Sequence, residues 1–574
     1  MGALIFSVLP LLGVYMKKNC CLCMSEKRSG KALAGLFVFV LCASLFFTGC
    51  KPSKSKAKAA DPVKYSSVLA LDKTLFAEIK KGDTITIKTK KCGILKKPDA
   101  SITKPKIKLV LNDEDNSALG GGKYSENAVF NKSYKNADLQ NAEQTITYTV
   151  SAKEASKLKE KGLVILGYGA EASVVKLSCI DYSPVDGTEI NTGISSKSYF
   201  MQNFHSGWNL GNYLDTIGSG KNKGFSAAEN WSKEEATPEL FKGLRELGFD
   251  FVRIPVTYLN HIGEAPDYRI NAEWLAYVKK VVDMALAEDL GVLINIHHDG
   301  SETNQWLNIS KADDNEANYK NQTIQFCQIW SQVAEAFKDY GSKLAFEGFN
   351  EIQDGKWGWG DNRSDDGIQY AIINRWNQAF TTVVRATGGN NAYRFLGLNG
   401  YCASPDCLSY LKLPDDSCVD AVNRFAVSFH YYSPYEFGIE ASVHKWGVDF
   451  GNVAQVETTK NDQEKALMKT FDRVAALFKD CPVYIGEYGA TYQGEAYSDY
   501  QRYYLEFLVN YAKKKNMMFF LWDNNGESIG RESFGYINRK TGKVRSGYEN
   551  IVQAVNRAAY ASVEDYSIEA PAPK

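Results

Sequence analysis

Two glutamates stand at the ends of short apolar runs, Glu351 in Phe349-Asn350-Glu351 and Glu487 in Ile485-Gly486-Glu487-Tyr488. Two carboxylates facing one cleft can cleave a glycosidic bond: one, protonated, assists the leaving oxygen, and the other, ionised, attacks the sugar or activates water. Either glutamate alone reads as a solvated carboxylate or a rim ion pair. What gives them weight is that other polar residues fall at run ends in the same way. Arg253 closes Phe251-Val252-Arg253-Ile254, and His297-His298-Asp299 follow Val292-Leu293-Ile294-Asn295-Ile296. His430 and Tyr432 close Phe425 to Tyr432, and Trp522 closes Met517 to Trp522.

The elements that must position these residues are strands alternating with helices. Pro238 to Leu247, Trp274 to Glu288 and Ile324 to Tyr340 have helical periodicity, and each leads into an apolar run ending in one of these polar groups. With Gly207-Trp208-Asn209-Leu210 as the first strand, eight such steps fit within residues 186–564, which predicts a (β/α)8 TIM barrel with enlarged loops and a short tail, 565–574. In that fold reactive groups lie at the C-terminal ends of the strands, where these residues fall. A doubly wound sheet is the alternative, but no GxGxxG or Walker sequence follows any of the runs.

The chain has 574 residues, with 67 Lys plus Arg against 67 Asp plus Glu, so no basic excess points to a nucleic-acid partner. A hydrophobic share of 44% excludes wholesale disorder. The balance hides an asymmetry, because residues 51–185 carry 24 Lys, no Arg and 15 acids, whereas the remainder is acidic and holds all ten Trp. Two domains are therefore expected. Between 62 and 185, alternating runs such as Thr84 to Lys88, Ile107 to Leu111 and Thr145 to Val150 predict a small all-β sandwich. Its end, Gly162 to Tyr168 and Ala172 to Ser178, resembles jelly-roll carbohydrate-binding modules. Tyr124, Phe130, Tyr134 and Tyr168 are its candidate sugar platforms, each with core or plain surface as the alternative. Without Trp and rich in Lys, the module is expected to be a spacer or a weak glycan binder, so that residues 186–574 alone would keep nearly full activity on a soluble substrate.

Before it, a basic head (Met24 to Lys31), sixteen apolar residues (Ala32 to Phe47) and Thr48-Gly49-Cys50 form a signal region within 1–50 that resembles a bacterial lipoprotein signal. Cys50 is the candidate lipidation site, Met24 the candidate true start, and 51–61 a tether. The expectation is an exported protein, lipid-anchored to the cell envelope and surface-exposed. Seven cysteines follow Cys50, without a CxxC pair, so a zinc site is not expected. A disulfide is permitted, Cys92 with Cys179 or two of Cys402, Cys407 and Cys418, although most are expected to be free buried thiols.

Gly207-Trp208-Asn209-Leu210-Gly211-Asn212, Val252-Arg253-Ile254-Pro255, Ile294 to Asp299, Phe349-Asn350-Glu351, His430-Tyr431-Tyr432, Ile485 to Tyr488 and Phe520-Leu521-Trp522 together resemble glycoside hydrolase family 5, and within it the endo-β-1,4-glucanases. The resemblance implies Glu351 as acid/base, Glu487 as nucleophile, retention of configuration, and no metal or cofactor. In those roles Arg253 would favour the charged form of Glu487 while Glu351 keeps a proton; a buried structural ion pair is the other reading of Arg253 and names the same partner. Asn350 would hold the sugar 2-hydroxyl, Tyr432 would hydrogen-bond the nucleophile, and His297 and His298 would line the pocket. Trp522 would stack on the sugar at the cleavage subsite. Trp306, Trp357 and Trp359 are further platforms or loop packing. A metal on His297, His298 and Asp299 is not expected, because neighbouring strand residues point to opposite faces. The substrate is then a β-glucan, whether cellulose-type, mixed-linkage or xyloglucan, cut by a monomer. A β-mannanase uses the same set, and a non-catalytic surface glycan-binding lipoprotein is the alternative from another class.

Overall fold

The computed structural model describes residues 66–95, 97–101, 105–113, 132–134, 143–217, 231, 234–300, 305–354, 367–447, 463–562 and 566–571. The signal region with Cys50, the tether, Tyr124, Phe130, Trp357, Trp359 and the side chain of Tyr134 lie outside what is described. The N-terminal layer consists of β1 (Ser67–Leu71), β2 (Thr84–Lys91), β3 (Gly93–Ile94), β4 (Lys97–Ser101), β5 (Lys106–Leu111), β6 (Lys132–Tyr134), β7 (Gln144–Thr149), β8 (Leu163–Tyr168) and β9 (Ala170–Leu177). Strands β1-β8-β5-β6 form one sheet and β7-β2-β9 another, with antiparallel pairing throughout. Period-two patterning is visible in β2, where Ile85, Ile87 and Thr89 are buried and the residues between them are partly exposed.

Two elements depart from the all-β reading, a short 3-10 helix at Lys73–Phe76 and an α-helix. Ala152–Lys161 is a helix, started by a capping box in which Ser151 Oγ accepts from the Glu154 N–H and Glu154 accepts from the Ser151 N–H. The Ser-x-x-Glu signature was present in the sequence, within a Lys-rich stretch that otherwise reads as surface. Tyr168, a candidate platform, has the Lys106 ammonium over its ring at 4.4 Å.

The following strands, β10 (Gly207–Leu210), β11 (Phe251–Ile254), β12 (Gly291–Asn295), β13 (Leu344–Glu347), β14 (Leu396–Asn399), β15 (Phe425–Tyr431), β16 (Val483–Tyr488) and β17 (Met517–Asp523), close into an eight-stranded parallel barrel. The expected helix Pro238–Leu247 is present, with Thr237 as N-cap, Pro238 in the first turn and Gly248 as left-handed C-cap. The helix expected from Ile324 runs over Glu316–Ala336, capped by Asn315. Below the strands, Phe200 of the helix Ser196–Asn203 closes the barrel floor against Phe251 and Phe395. Cys92 and Cys179 in the sandwich and Cys327, Cys402, Cys407, Cys418 and Cys481 in the barrel are not joined by disulfides, so none of the permitted pairings forms among the described residues.

Residues 62–574 form one compact unit, and the seam between sandwich and barrel explains why. Strand β1 packs on helices Glu316–Ala336 and Ile368–Ala386, and β9 packs on the second of these. Two buried side chains of that helix, Gln378 and Thr382, donate to the backbone carbonyl of Ser173 at 3.0 and 2.7 Å. Arg375 pairs with Glu171 at 2.5 Å, Lys88 with Asp415 at 3.1 Å, and Arg269 with Asp72 at 2.8 Å. Lys73 pairs with Asp267. A free spacer has no such seam. Truncation to residues 186–574 would leave several of these groups unpaired, at about 1–3 kcal/mol for each buried one. The truncated chain is therefore expected to unfold roughly 5 °C or more below the full chain in a thermal melt, where each kcal/mol is worth about 2–4 °C in large domains. Equal melting temperatures would show that the barrel does not depend on the sandwich.

Candidate active site

The centre of the site is the Arg253 side chain, which strand β11 turns into the barrel, where it is fully buried. A guanidinium has five N–H donors and needs an acceptor for each when water is excluded. All five are met. Nε donates to Glu347, Nη1 to Asn209 Oδ1 (3.0 Å) and Glu487 Oε1 (2.9 Å), and Nη2 to Glu347 Oε1 (2.7 Å) and Asn350 Oδ1 (2.8 Å). These partners come from β10, β13, β16 and the residues just after β13, so the cation ties four strand ends together.

Glu487 lies near the end of β16, only 5% exposed. Oε1 receives Arg253, and Oε2 receives the Tyr432 hydroxyl at 3.0 Å. Burial pushes its carboxyl above the ordinary 4.5, while the charges of His430 and Arg253 pull the other way. Desolvation is the larger influence, and the Arg253 charge, which favours the ionised form, opposes it without cancelling it. Glu351, past the end of β13 and about a quarter exposed, accepts from His430 Nδ1 at 2.6 Å. His430 is buried, which by itself lowers its basicity, but the charges of Glu487 and Glu351 outweigh this and raise its pKa. An oxygen of Glu351 and one of Glu487 lie within 4.8 Å of each other, with His430 Nδ1 beside both.

Asn350 is 4% exposed and gives its Oδ1 to Arg253, which leaves its amide nitrogen as the donor it can offer a substrate hydroxyl. His297, just beyond β12, shows how a tautomer is set. Asn295 Oδ1 accepts from the Val256 N–H, so its Nδ2 must be the atom that donates to Glu347 Oε1 (2.8 Å) and lies 3.1 Å from His297 Nδ1. Nδ1 is then an acceptor, and the ring proton sits on Nε2, which faces Glu487 Oε1 at 3.8 Å and Asp215 Oδ2 at 4.0 Å. Burial keeps this imidazole neutral, with a pKa well below 6.5.

His298 lines the pocket as expected, but strand alternation does not separate it from His297: its Nε2 is 3.7 Å from the same Asp215 Oδ2, because the chain has left the strand by this point and no longer alternates. Asp215, His297 and His298 thus gather as metal-binding residues do. The tautomer argues against that use, since the His297 nitrogen facing Asp215 carries a proton and has no lone pair to offer a cation. Asp299, the third member of the sequence candidate set, faces elsewhere: it accepts from the Tyr258 N–H and from Trp306 Nε1 at 2.7 Å. That bond also ties down Trp306, which packs against the core partly buried.

Trp522, at the end of β17, is 9% exposed and lies parallel to His297 with centroids 5.9 Å apart. Its position requires Gly211, where a Cβ would come within 2.7 Å of the indole ring. Trp231, which the sequence reading did not single out, is 42% exposed with its ring centroid 5.5 Å from His298, extending this aromatic wall outward. Asn209, Asp215, Asn295, Glu347 and Tyr484 were also passed over. Asn209, Asn295 and Glu347 lie within apolar strands, and a polar residue in an inward strand position was the signal available.

Known proteins provide an independent measure of the same region. The profile of the family "Cellulase (glycosyl hydrolase family 5)" matches residues 215–528. Endoglucanase A of Paenibacillus barcinonensis is 34% identical over 366 residues, covering 61% of this chain and 86% of that protein. A xyloglucan-specific endo-β-1,4-glucanase of Bacteroides ovatus is 29% identical over 405 residues, 66% of this chain and 76% of that protein. The solved structure of a broad specificity endoglucanase from Bacteroides salanitronis superimposes with a TM-score of 0.60 at 35% identity, covering 66% of this chain and 99% of that one. A family match over more than half the chain, on the segment that carries the paired carboxylates, places the protein: it belongs to glycosyl hydrolase family 5, the cellulases, glycoside hydrolases of the endo-β-1,4-glucanase kind.

Proposed function

We propose that the enzyme cleaves β-1,4-glucan chains internally by double displacement with retention, Glu487 acting as nucleophile and Glu351 as acid and then base. The observation that carries this is the spacing of the two carboxylates, with oxygens within 4.8 Å of each other. Retaining enzymes hold the two carboxyl groups about 5–5.5 Å apart, whereas inverting enzymes open roughly 6.5–9.5 Å to admit a water. In the first step Glu487 Oε attacks the anomeric carbon as the Glu351 proton passes to the departing glycosidic oxygen. In the second, Glu351 takes a proton from water, whose oxygen displaces Glu487 from that carbon. Asn350 and the His297 Nε2–H supply donors to sugar hydroxyls, and Trp522 supplies a flat face for the ring.

A β-glucan backbone is the substrate class, in keeping with the endoglucanases and the xyloglucan-specific enzyme to which the chain is similar. Cellulose-type, mixed-linkage and xyloglucan chains differ in side groups and bends that the loops above the strands must admit. A non-catalytic glycan binder would have no use for a buried carboxylate held beside a second, more exposed one. We also propose export and lipid anchoring through Cys50, on the sequence pattern alone. Cys50→Ala is expected to release the enzyme from the membrane fraction, and its continued retention there would remove the anchor assignment.

Glu487→Ala is expected to reduce turnover of β-glucan to background. Glu351→Ala should lose roughly 10²–10⁴-fold on polysaccharide, the usual worth of a general acid. It should retain activity on aryl cellobiosides with good leaving groups and be accelerated by azide, giving a β-glycosyl azide. An inverted azide product from Glu487→Ala would exchange the two roles. Proton NMR of early hydrolysate is expected to show the β-anomer first, and an initial α-anomer would exclude retention.

The pH profile is a further check. Because burial lifts Glu487 above the ordinary 4.5, the nucleophile is protonated and lost as pH falls through that raised value. The acid limb of kcat/KM should therefore lie above pH 4.5. A limb below that pH would mean that Arg253 and His430 outweigh desolvation.

A further inference from the structure

We propose that Glu347 is a positioning residue for the nucleophile: it occupies the Nε and Nη2 edge of Arg253, so that the guanidinium gives Glu487 one hydrogen bond instead of two. The inference rests on the reading of Glu487 as nucleophile. Glu347 ends β13 inside the barrel with no exposed surface, so it cannot touch a substrate. It accepts from Arg253 Nε and Nη2, from Asn295 Nδ2 at 2.8 Å and from the Tyr484 hydroxyl at 2.6 Å. The Tyr484 contact exists because residue 397 is glycine, since a Cβ there would lie 2.2 Å from that hydroxyl.

The usual way for arginine to meet a carboxylate is a two-pronged fork, which ties both oxygens and lowers their basicity. Here that fork is directed at Glu347, and Glu487 receives Nη1 alone on Oε1, leaving Oε2 to Tyr432. Arg253 therefore shares its charge between two carboxylates. The nucleophile keeps more of its basicity than a full ion pair would allow, yet is still oriented. A carboxylate that merely filled space beside Arg253 would be replaceable by a neutral isostere with no effect on the titration of Glu487.

The groups that face Glu487 are Arg253 from β11, His297 beyond β12, Glu351 beyond β13, and His430 and Tyr432 at the end of β15. Those that face Glu347 are Arg253, Asn295, Tyr484 and His430. Two substitutions change this balance in opposite directions. Glu347→Gln removes the competing charge and releases Arg253 toward Glu487. Tyr484→Phe takes one donor from Glu347, which then draws more strongly on Arg253.

The test is the pH dependence of covalent labelling of the full-length enzyme by an activated 2-deoxy-2-fluoro-β-cellobioside, with peptide mapping of the labelled residue. Glu347→Gln is expected to move the acid limb down by about one pH unit, and Tyr484→Phe to move it up by a few tenths, as charge changes near a carboxylate do. Lowered melting temperatures with unmoved limbs, or shifts in the same direction, would overturn the proposal. If Glu347→Gln does not fold, Tyr484→Phe decides by itself: an upward limb supports the proposal and a fixed or lowered one ends it. Wild-type label on a residue other than Glu487 would instead overturn the nucleophile assignment, which keeps the two failures apart.

Discussion

A fully buried guanidinium is the constraint around which the site is organised. Removing a cation from water costs several kcal/mol unless charges and hydrogen-bond acceptors replace the lost hydration. Arg253 obtains them from Asn209, Glu347, Asn350 and Glu487, which the chain brings from widely separated segments. Only a closed barrel places the ends of β10, β11, β13 and β16 around one point. The geometry of the site and the stability of the fold are therefore coupled here, because the arginine that orients Glu487 also needs it as a partner.

The same network distributes protons. Glu347, held by arginine, tyrosine and amide donors, stays ionised below its ordinary range despite complete burial. Glu487, with fewer donors, is raised. Both carboxylates are desolvated; the charge of Arg253, followed by its hydrogen bonds and that of Tyr484, lowers Glu347, whereas the like charge of Glu351 adds to desolvation at Glu487. Asn295 joins the network to the imidazole of His297: its amide is oriented by Val256 and Glu347, and in turn decides which ring nitrogen carries the proton. His430 serves the more exposed Glu351 from the other side, so the two carboxylates sit in unlike surroundings, which suits the two different roles proposed for them.

Away from the cleft, the sandwich covers helices that a bare barrel would present to water. The polar side chains of Ile368–Ala386 that face it are satisfied by its backbone, at Ser173, and by its acid Glu171. That helix follows β13, the strand that carries Glu347 and leads to Glu351. The module therefore packs on the helix that follows Glu351 along the chain, an arrangement not legible in its sequence, since surface lysines and alternating strands read the same whether or not a partner lies beside them.

The barrel and the pairing of Glu351 with Glu487 were legible because they leave local signatures: apolar runs of strand length, helical periodicity with caps, and polar residues at run ends. Alternation along β2 and the caps of Pro238–Leu247 are set by neighbours in sequence. Glu347 and Asn295 left only a single polar residue in an apolar run, and Asp215 less than that, and such a residue has meaning only through partners tens or hundreds of residues away. The same holds for His298, whose approach to Asp215 follows from a chain that leaves β-geometry after Asn295. The sequence determined which chemistry was available and roughly where along each strand it stood. The tertiary structure decided which carboxylate receives the arginine fork, which histidine nitrogen is protonated and how far each group is desolvated, since hydrogen bonding and desolvation depend on separations in space that adjacency along the chain does not encode.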